Sequence, residues 1–191
     1  MAVASRRHPL LSLAGCRRIV IMGNTGSGKT TLATQLAQHL GVPRIELDEL
    51  NWGPNWTMAP REQFRAAVAA VTSAPAWVTD GNYRAVRDIL WPRADTIIWL
   101  DYPLAVNFWR LTRRILGRVA RREELWHGNR ESLRTHFLSR DSLYVWAAQT
   151  HRRHQREWAA LFAGGDYPHL AVVRFRSPGS TRRWLARVTS R

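Results

Sequence analysis

Gly23-Asn24-Thr25-Gly26-Ser27-Gly28-Lys29-Thr30 satisfies G-x-x-x-x-G-K-[ST] at each fixed position. Glycines at this spacing let a backbone turn so that successive N–H groups aim inward at phosphate oxygens. Lys29 offers a point-charge ammonium to the β- and γ-phosphates, and the Thr30 hydroxyl is a ligand for Mg²⁺. Thr31 continues into a helix whose N-terminal dipole favours an anion. The chemistry is retention of ATP with Mg²⁺, with residues 23–31 as the cradle. Lys29 is the only lysine in the chain; the other 28 of 29 basic residues are arginine.

Such a loop needs a strand before it and a helix behind it. Ile19-Val20-Ile21-Met22 is the β-branched apolar run expected of a buried parallel strand. Leu32, Leu36 and Leu40 recur every four residues beside Ala33 and Ala37, one face of a helix, and Gly41 stops it. Residues 44–47, 76–79, 96–100 and 170–175 read as four more strands between helical segments. The alternation predicts an α/β fold, a parallel sheet with helices on both faces. Three of the strands run into Asp48, Asp80 and Asp101, on the edge where ligands bind in open α/β sheets.

Arg110, Arg114, Arg118 and Arg122 repeat every four residues with Arg113 and Arg121 beside them, a helical stripe whose guanidinium forks fit phosphate oxygens. Trp109, Leu116 and Val119 are read as its inward side. Residues 125–134 read as a lid, with Gly128 as hinge and Arg130 or Arg134 reaching phosphates on closure. Trp52, Trp56, Trp146 and Trp158 are expected mostly in the core, with Trp52 and Trp56 alternatively walling an acceptor pocket. His151 and His154 read as a surface pair on a polar helix, since their basic neighbours disfavour a cation. Residues 177–180 form the turn expected to pass an adenine ring.

Asp80-Gly81-Asn82-Tyr83-Arg84 resembles the Asp-Gly-Phe-Pro-Arg segment of adenylate kinases. Residues 96–103 look like the next strand of those enzymes, and Arg110, Arg113 and Arg114 fall where they carry arginines at the base of the lid. A longer ordered set is similar to a narrower group of adenylate-kinase-like P-loop proteins, named DNA topology modulation proteins (FlaR-like). It comprises Leu47-Asp48, Leu50, Trp52, Pro54, Trp56, Pro60, Phe64, Trp77-Val78, Asp80 to Tyr83, Arg87, Arg93 to Ile98 and Leu100-Asp101. The resemblance spans about residues 17–190. It implies a three-layer P-loop NTPase fold, with a five-stranded parallel sheet in the order 2-3-1-4-5 and a short lid. It also implies ATP-dependent phosphotransfer to a small acceptor hydroxyl or phosphate.

The roles it implies are specific. Lys29, Arg110 and Arg114 act on the transferring phosphoryl group, and Asp48 takes the acceptor proton or positions the acceptor. Thr30 and Asp80 hold Mg²⁺, Asp80 through water; Asp101 reads instead as a turn residue before Tyr102-Pro103. Asp48, Trp52, Arg84 and Arg87 line the acceptor site. The expected organisation is a loose tail at 1–16 and one domain at 17–191. Its acceptor-side segment is about 49–75 and its lid about 118–135. That segment is shorter than in adenylate kinases, which argues against AMP as acceptor.

The bulk properties narrow the alternatives. A formal charge of +15 suits a polyanion, so the second reading is an ATP-binding protein associated with nucleic acid, with nonspecific contacts. A third is an ATP binder without transfer, against which intact Lys29, Thr30, Asp48 and Asp80 argue. No second lysine exists for an Asn-Lys-x-Asp guanine reader, and an AAA-type ATPase is set aside for want of room. No apolar run approaches the roughly 18 residues of a membrane span. Cys16 is alone, which excludes an intramolecular disulfide. Leu13 to Cys16 mimics a lipoprotein box, but the apolar stretch before it is short of the roughly 7–15 residues of a signal. The expectation is a cytoplasmic monomer or homodimer.

Overall fold

The apolar runs pair into one parallel sheet: β1 (Arg18–Gly23), β2 (Arg44–Glu46), β3 (Trp77–Asp80), β4 (Thr96–Leu100) and β5 (Ala171–Phe175). Their order is β2-β3-β1-β4-β5, as the resemblance implies. The structure, a computed structural model, describes residues 13, 15–121, 124, 126–129 and 143–190. Helices α1 (Lys29–Leu40), α2 (Leu47–Asn51), α3 (Arg61–Val71), α4 (Arg87–Arg93), α5 (Leu104–Ala120), α6 (Leu143–Ala163) and α7 (Pro178–Thr189) lie between and after the strands. Short 3-10 turns span Pro54–Trp56, Arg84–Val86 and Trp126–Gly128. Boundaries differ from the sequence reading by a residue. Leu47 leaves β2 to begin α2, Ala76 precedes β3, and Asp80 is the last residue of β3 rather than the one after it.

Period-two alternation distributes β1 between two cores. Val20 and Met22 join Val68, Trp77, Leu90, Trp91, Trp99 and Trp158 on the face covered by α3, α4 and α6. Ile19 and Ile21 join Leu32, Leu36, Val78, Ile98 and Trp184 on the face of α1 and α7. A strand covered on both sides has no place for polar side chains, hence its unbroken apolar run. Leu32, Ala33, Leu36 and Ala37 are the buried stripe of α1, which ends at Gly41 in the left-handed region, φ 64°. Leu13 and Cys16 are also buried against this second core.

Two surface expectations are corrected. Trp109 and Leu116 do not face inward: they are 64% and 51% exposed, and the buried stripe of α5 is Asn107, Leu111 and Ile115. The helix packs on a glycine loop and a polar strand end, so Asn107 is buried and an indole of Trp109's size has no room. Trp146 is 52% exposed, whereas Trp158 is buried as expected. Among the described residues no helix is long and apolar enough to cross a membrane.

Candidate active site

The loop hangs from the carboxyl end of β1, at the centre of the sheet, and is seated by α5. Gly26 has φ +81° and Gly28 φ +92°, values that L side chains rarely adopt. A Cβ at Gly26 would stand 2.4 Å from the Asn107 carbonyl oxygen of α5, and one at Gly28 2.5 Å from the Arg110 guanidinium. Arg110 thus lies against the loop. Asn82, at the end of β3, braces the loop from the other side. Its Nδ2 donates to Gly23 O at 2.6 Å, and its Oδ1 accepts from Gly23 N–H at 3.1 Å.

Asn24 is buried and ties the loop to α6. Its Nδ2 donates to Ala147 O at 2.8 Å and lies 3.4 Å from His151 Nδ1. Its Oδ1 accepts from Thr25 N–H at 2.9 Å and from Thr150 Oγ1 at 3.4 Å. The histidines therefore depart from the expected surface pair. His151 meets the loop, and His154 stacks on Trp158 with centroids 4.4 Å apart and planes 12° apart. Burial, then the charge of Arg153, pushes the His154 imidazolium down to about 4.

Lys29 Nζ rests on the loop's own carbonyls, Gly23 O at 3.0 Å and Asn24 O at 3.2 Å. Burial lowers its ammonium below the usual range, against the pull of Asp80 and Asp48 and with the push of Arg114. Thr30 Oγ1 donates to Asp80 Oδ2 at 2.6 Å. Burial holds the Asp80 carboxyl above its ordinary range, while the Thr30 hydrogen bond and Lys29 draw it down. One hydroxyl and one carboxylate, beside a cradle for phosphates, form a donor set suited to Mg²⁺, which keeps several waters and takes few protein ligands. Among the described residues no three His, Cys, Asp or Glu side chains converge as a metal site of their own.

Asp101 has the same local signature, an apolar strand running into an aspartate, and a different setting. Its Oδ2 accepts from Arg174 Nε at 2.8 Å and Nη2 at 2.5 Å, and its Oδ1 from Gln155 Nε2 at 2.7 Å. Arg174 also lies over the Trp99 ring at 4.1 Å. Asp101 is thus a strut between β4, β5 and α6.

At the residues expected to line an acceptor site, Tyr83 Oη donates to Asp48 Oδ1 at 2.6 Å. Trp52 and Trp56 pack edge to face, centroids 5.8 Å apart. Arg84 is exposed. Arg87 is engaged elsewhere, 2.8 Å from Glu157 and 4.8 Å from the Trp91 ring centroid. Arg114 is half-buried on α5 and close enough to Lys29 to act on its charge. Arg122, Arg130 and Arg134 lie outside the described residues. Tyr83 and Asn82 are side chains that residue-level reading left without a role, named only within a resemblance; Asn24 is read as part of the cradle, without its side-chain ties to α6.

Comparison with known proteins agrees with the glycine loop and the sheet, while the family model that matches is of the AAA class that the sequence reading set aside. A family model described as "ATPase family associated with various cellular activities (AAA)" matches residues 19–101, the segment from β1 through the end of β4. The phosphonates import ATP-binding protein PhnC 1 of Pseudomonas savastanoi pv. phaseolicola is 29% identical over 124 residues. That match takes in 61% of this chain and 44% of the relative, so the chain spans less than half the length of the curated protein it matches. A shikimate kinase from Acinetobacter baumannii, solved in complex with shikimate, superposes with a TM-score of 0.56 at 16% identity, covering 95% of this chain and 98% of that one. A shikimate kinase from Bacteroides thetaiotaomicron gives 0.52 at 18% identity, with 92% and 98% covered. A gluconokinase from Sinorhizobium meliloti 1021 gives 0.51 at 18% identity, with 91% of each chain covered. Sheet order, glycine loop and superpositions together define a P-loop NTPase fold. Within that class, these three solved structures are small-molecule kinases.

Proposed function

We propose that this protein is an ATP-dependent phosphotransferase acting on a hydroxyl of a small acceptor. The observation that carries the reading is the convergence on one sheet edge of the glycine loop, Lys29, the Thr30–Asp80 pair at 2.6 Å and Asp48. Lys29 and the loop N–H groups hold the β- and γ-phosphates in line. Asp48, oriented by Tyr83, accepts the acceptor's proton as its oxygen bonds to the γ-phosphorus. The bond to the bridging oxygen breaks, leaving ADP and a phosphate ester. Arg110 and Arg114 stabilise the charge that spreads over the transferring group. Mg²⁺, held by Thr30 and by Asp80 through water, would neutralise phosphate charge when bound. Lys29 leaves the two loop carbonyls to reach ATP, and burial that weakens its hydration makes that exchange easier.

The finer placement near the FlaR-like group rests on the ordered residue set alone. The single domain over 17–191 and the lid at about 118–135 belong to the same reading, and the cytoplasmic setting rests on the lone Cys16. The nucleic-acid reading rests on charge and predicts duplex affinity that collapses with salt. One experiment separates the two: Mg²⁺-dependent ATP consumption by wild type and Lys29→Ala against small hydroxyl acceptors and duplex DNA. A phosphorylated small product, absent with Lys29→Ala, supports the proposal. Stimulation by DNA without such a product overturns it.

A further inference from the structure

One face of α6 runs along the site. Ala147, Thr150, His151, His154 and Trp158 recur on it at helical spacing. The first three meet Asn24 of the loop, and His154 lies close enough to Lys29 to feel its charge. Trp158, farther along, lines a recess of about 10 Å³ together with Gly81, Asn82, Tyr83, Arg87 and Trp91. The rest of the lining is apolar. The recess thus lies between Asn82, which braces Gly23, and Tyr83, which holds Asp48. Its floor, Trp91 and Trp158, is buried. Its rim from Gly81 to Tyr83 is half-buried and so within reach of solvent.

The hydrogen bonding of this lining is one-sided. Trp158 is 2% exposed, and its Nε1–H finds no acceptor among the described residues. The indole is not free to turn toward one. His154 stacks on its face, and Trp99 meets it edge to face with centroids 5.7 Å apart. A buried donor without an acceptor costs stability, and native structures keep few of them. The other polar groups of the lining are engaged or can only donate. Both ends of the Asn82 amide are on Gly23, and the Tyr83 hydroxyl hydrogen is on Asp48. Arg87 is held by Glu157 and lies over the Trp91 ring, and a guanidinium has only donors to offer. The lining therefore calls for an atom with a lone pair. A volume of about 10 Å³ admits a single atom the size of a water oxygen.

We infer that Trp158 is an acceptor-binding residue, its Nε1–H donating to a second oxygen of the acceptor, seated in this recess while Asp48 takes the proton of the first. This rests on the phosphotransferase reading above. The acceptor class that follows is polyoxygenated, a polyol, hydroxy acid or nucleoside, and not a simple alcohol. His154 serves the same contact as a positioning residue, by fixing the plane of the indole.

The test is an ¹⁵N-indole NMR titration of protein saturated with Mg²⁺ and a non-hydrolysable ATP analogue, with the Trp158 peak assigned through its neighbours Trp99 and His154. The probes are glucose, gluconate, shikimate and adenosine, with cyclohexanol as the single-oxygen control. At least one of the four should move the Trp158 peak downfield, and cyclohexanol should leave it in place. That probe should bind Trp158→Phe about tenfold more weakly (about 1.4 kcal/mol), with unchanged affinity for the ATP analogue, which also certifies folding. His154→Phe, which keeps a ring against the indole, should lose less than about threefold. If Trp158→Phe fails to fold, the wild-type peak decides alone. A probe that binds with the Trp158 peak unmoved would overturn the inference, as would equal affinity for folded Trp158→Phe, or silence of all four while the analogue binds. A probe that moves the peak yet is not phosphorylated when ATP replaces the analogue would keep the recess as a ligand site and sink the phosphotransferase reading. Failure of the analogue itself to bind would sink the nucleotide reading.

Discussion

Adding one methyl group at Gly26 tests the seating of the loop on α5. The left-handed backbone at this position, φ +81°, costs an L residue about 1–2 kcal/mol. The new Cβ would also lie 2.4 Å from the Asn107 carbonyl oxygen and 3.1 Å from Leu111 Cβ. The first is backbone inside a helix, which cannot swing aside, so overpacking adds about 1–3 kcal/mol. A total near 3 kcal/mol lowers the melting temperature by roughly 6–12 °C in a chain of this size. Gly28→Ala carries the same left-handed penalty at φ +92°, but its Cβ meets the mobile end of Arg110. It should therefore lose about half as much stability, and pairing it with Arg110→Ala should recover part of that loss, a coupling a double-mutant cycle would expose. ATP affinity falls in both single variants, because both crowd the cradle. Scanning calorimetry and ATP-analogue titration read the two effects separately. A Gly26→Ala variant that melts within about 2 °C of wild type, or a Gly28→Ala variant more damaged than it, would refute seating of the loop on α5.

The remaining predictions concern charge. Asp80→Asn should abolish Mg²⁺-dependent turnover yet leave the unliganded protein more stable than wild type at neutral pH. Because burial raises the native Asp80 carboxyl, its stabilising form is the protonated one, present below the ordinary carboxylate range and lost as pH rises. The gap between variant and wild type should thus close toward acid, as denaturant titrations at several pH values would show. Asp101→Ala should do the reverse. It strips Arg174 and Gln155 of their acceptor, costing about 2–3 kcal/mol by chemical denaturation, with turnover per folded molecule kept. For His154, held down to about 4 among Arg153, Glu157, Lys29 and Arg87, the neutral form is the native one. Stability falls as pH drops from the ordinary histidine range toward 4, and His154→Phe should flatten that limb of the profile. The Cys16 thiol is buried and raised by burial, so Ellman's reagent should react with it only as fast as the core around it opens.

What could be read from the chain alone follows how far apart in sequence the partners lie. Strand, loop and α1 are contiguous, and each carries its own period, so residues 19–41 were legible down to the helix stop. The role of Asp80 was not legible from its neighbours, because Asp101 repeats the pattern. What distinguishes them is Thr30 across the sheet in one case and Arg174 on β5 in the other. The inward face of α5 was misread because hydrophobicity assigns faces by what leaves water. Here the helix docks on a polar loop through Asn107, whose Nδ2 reaches the Tyr102 carbonyl at 3.3 Å. The same holds for Asn24, Asn82 and Asn129. An asparagine's amide offers two donors and an acceptor in one plane, enough to bind backbone on both sides of a gap. Such a residue has no period and no characteristic neighbour, so sequence shows it only as polar. Two of these amides fix Gly23 and Asn24 from β3 and α6; the third joins the acceptor-side segment to residues 126–129. The groups proposed to do chemistry are therefore written locally. The groups that hold them within reach of one another are asparagines, meeting partners 59 to 123 residues away. A substitution such as Asn82→Ala should accordingly leave the loop's sequence intact and its ATP affinity lowered, because Gly23 would lose both of its hydrogen bonds to that amide at once.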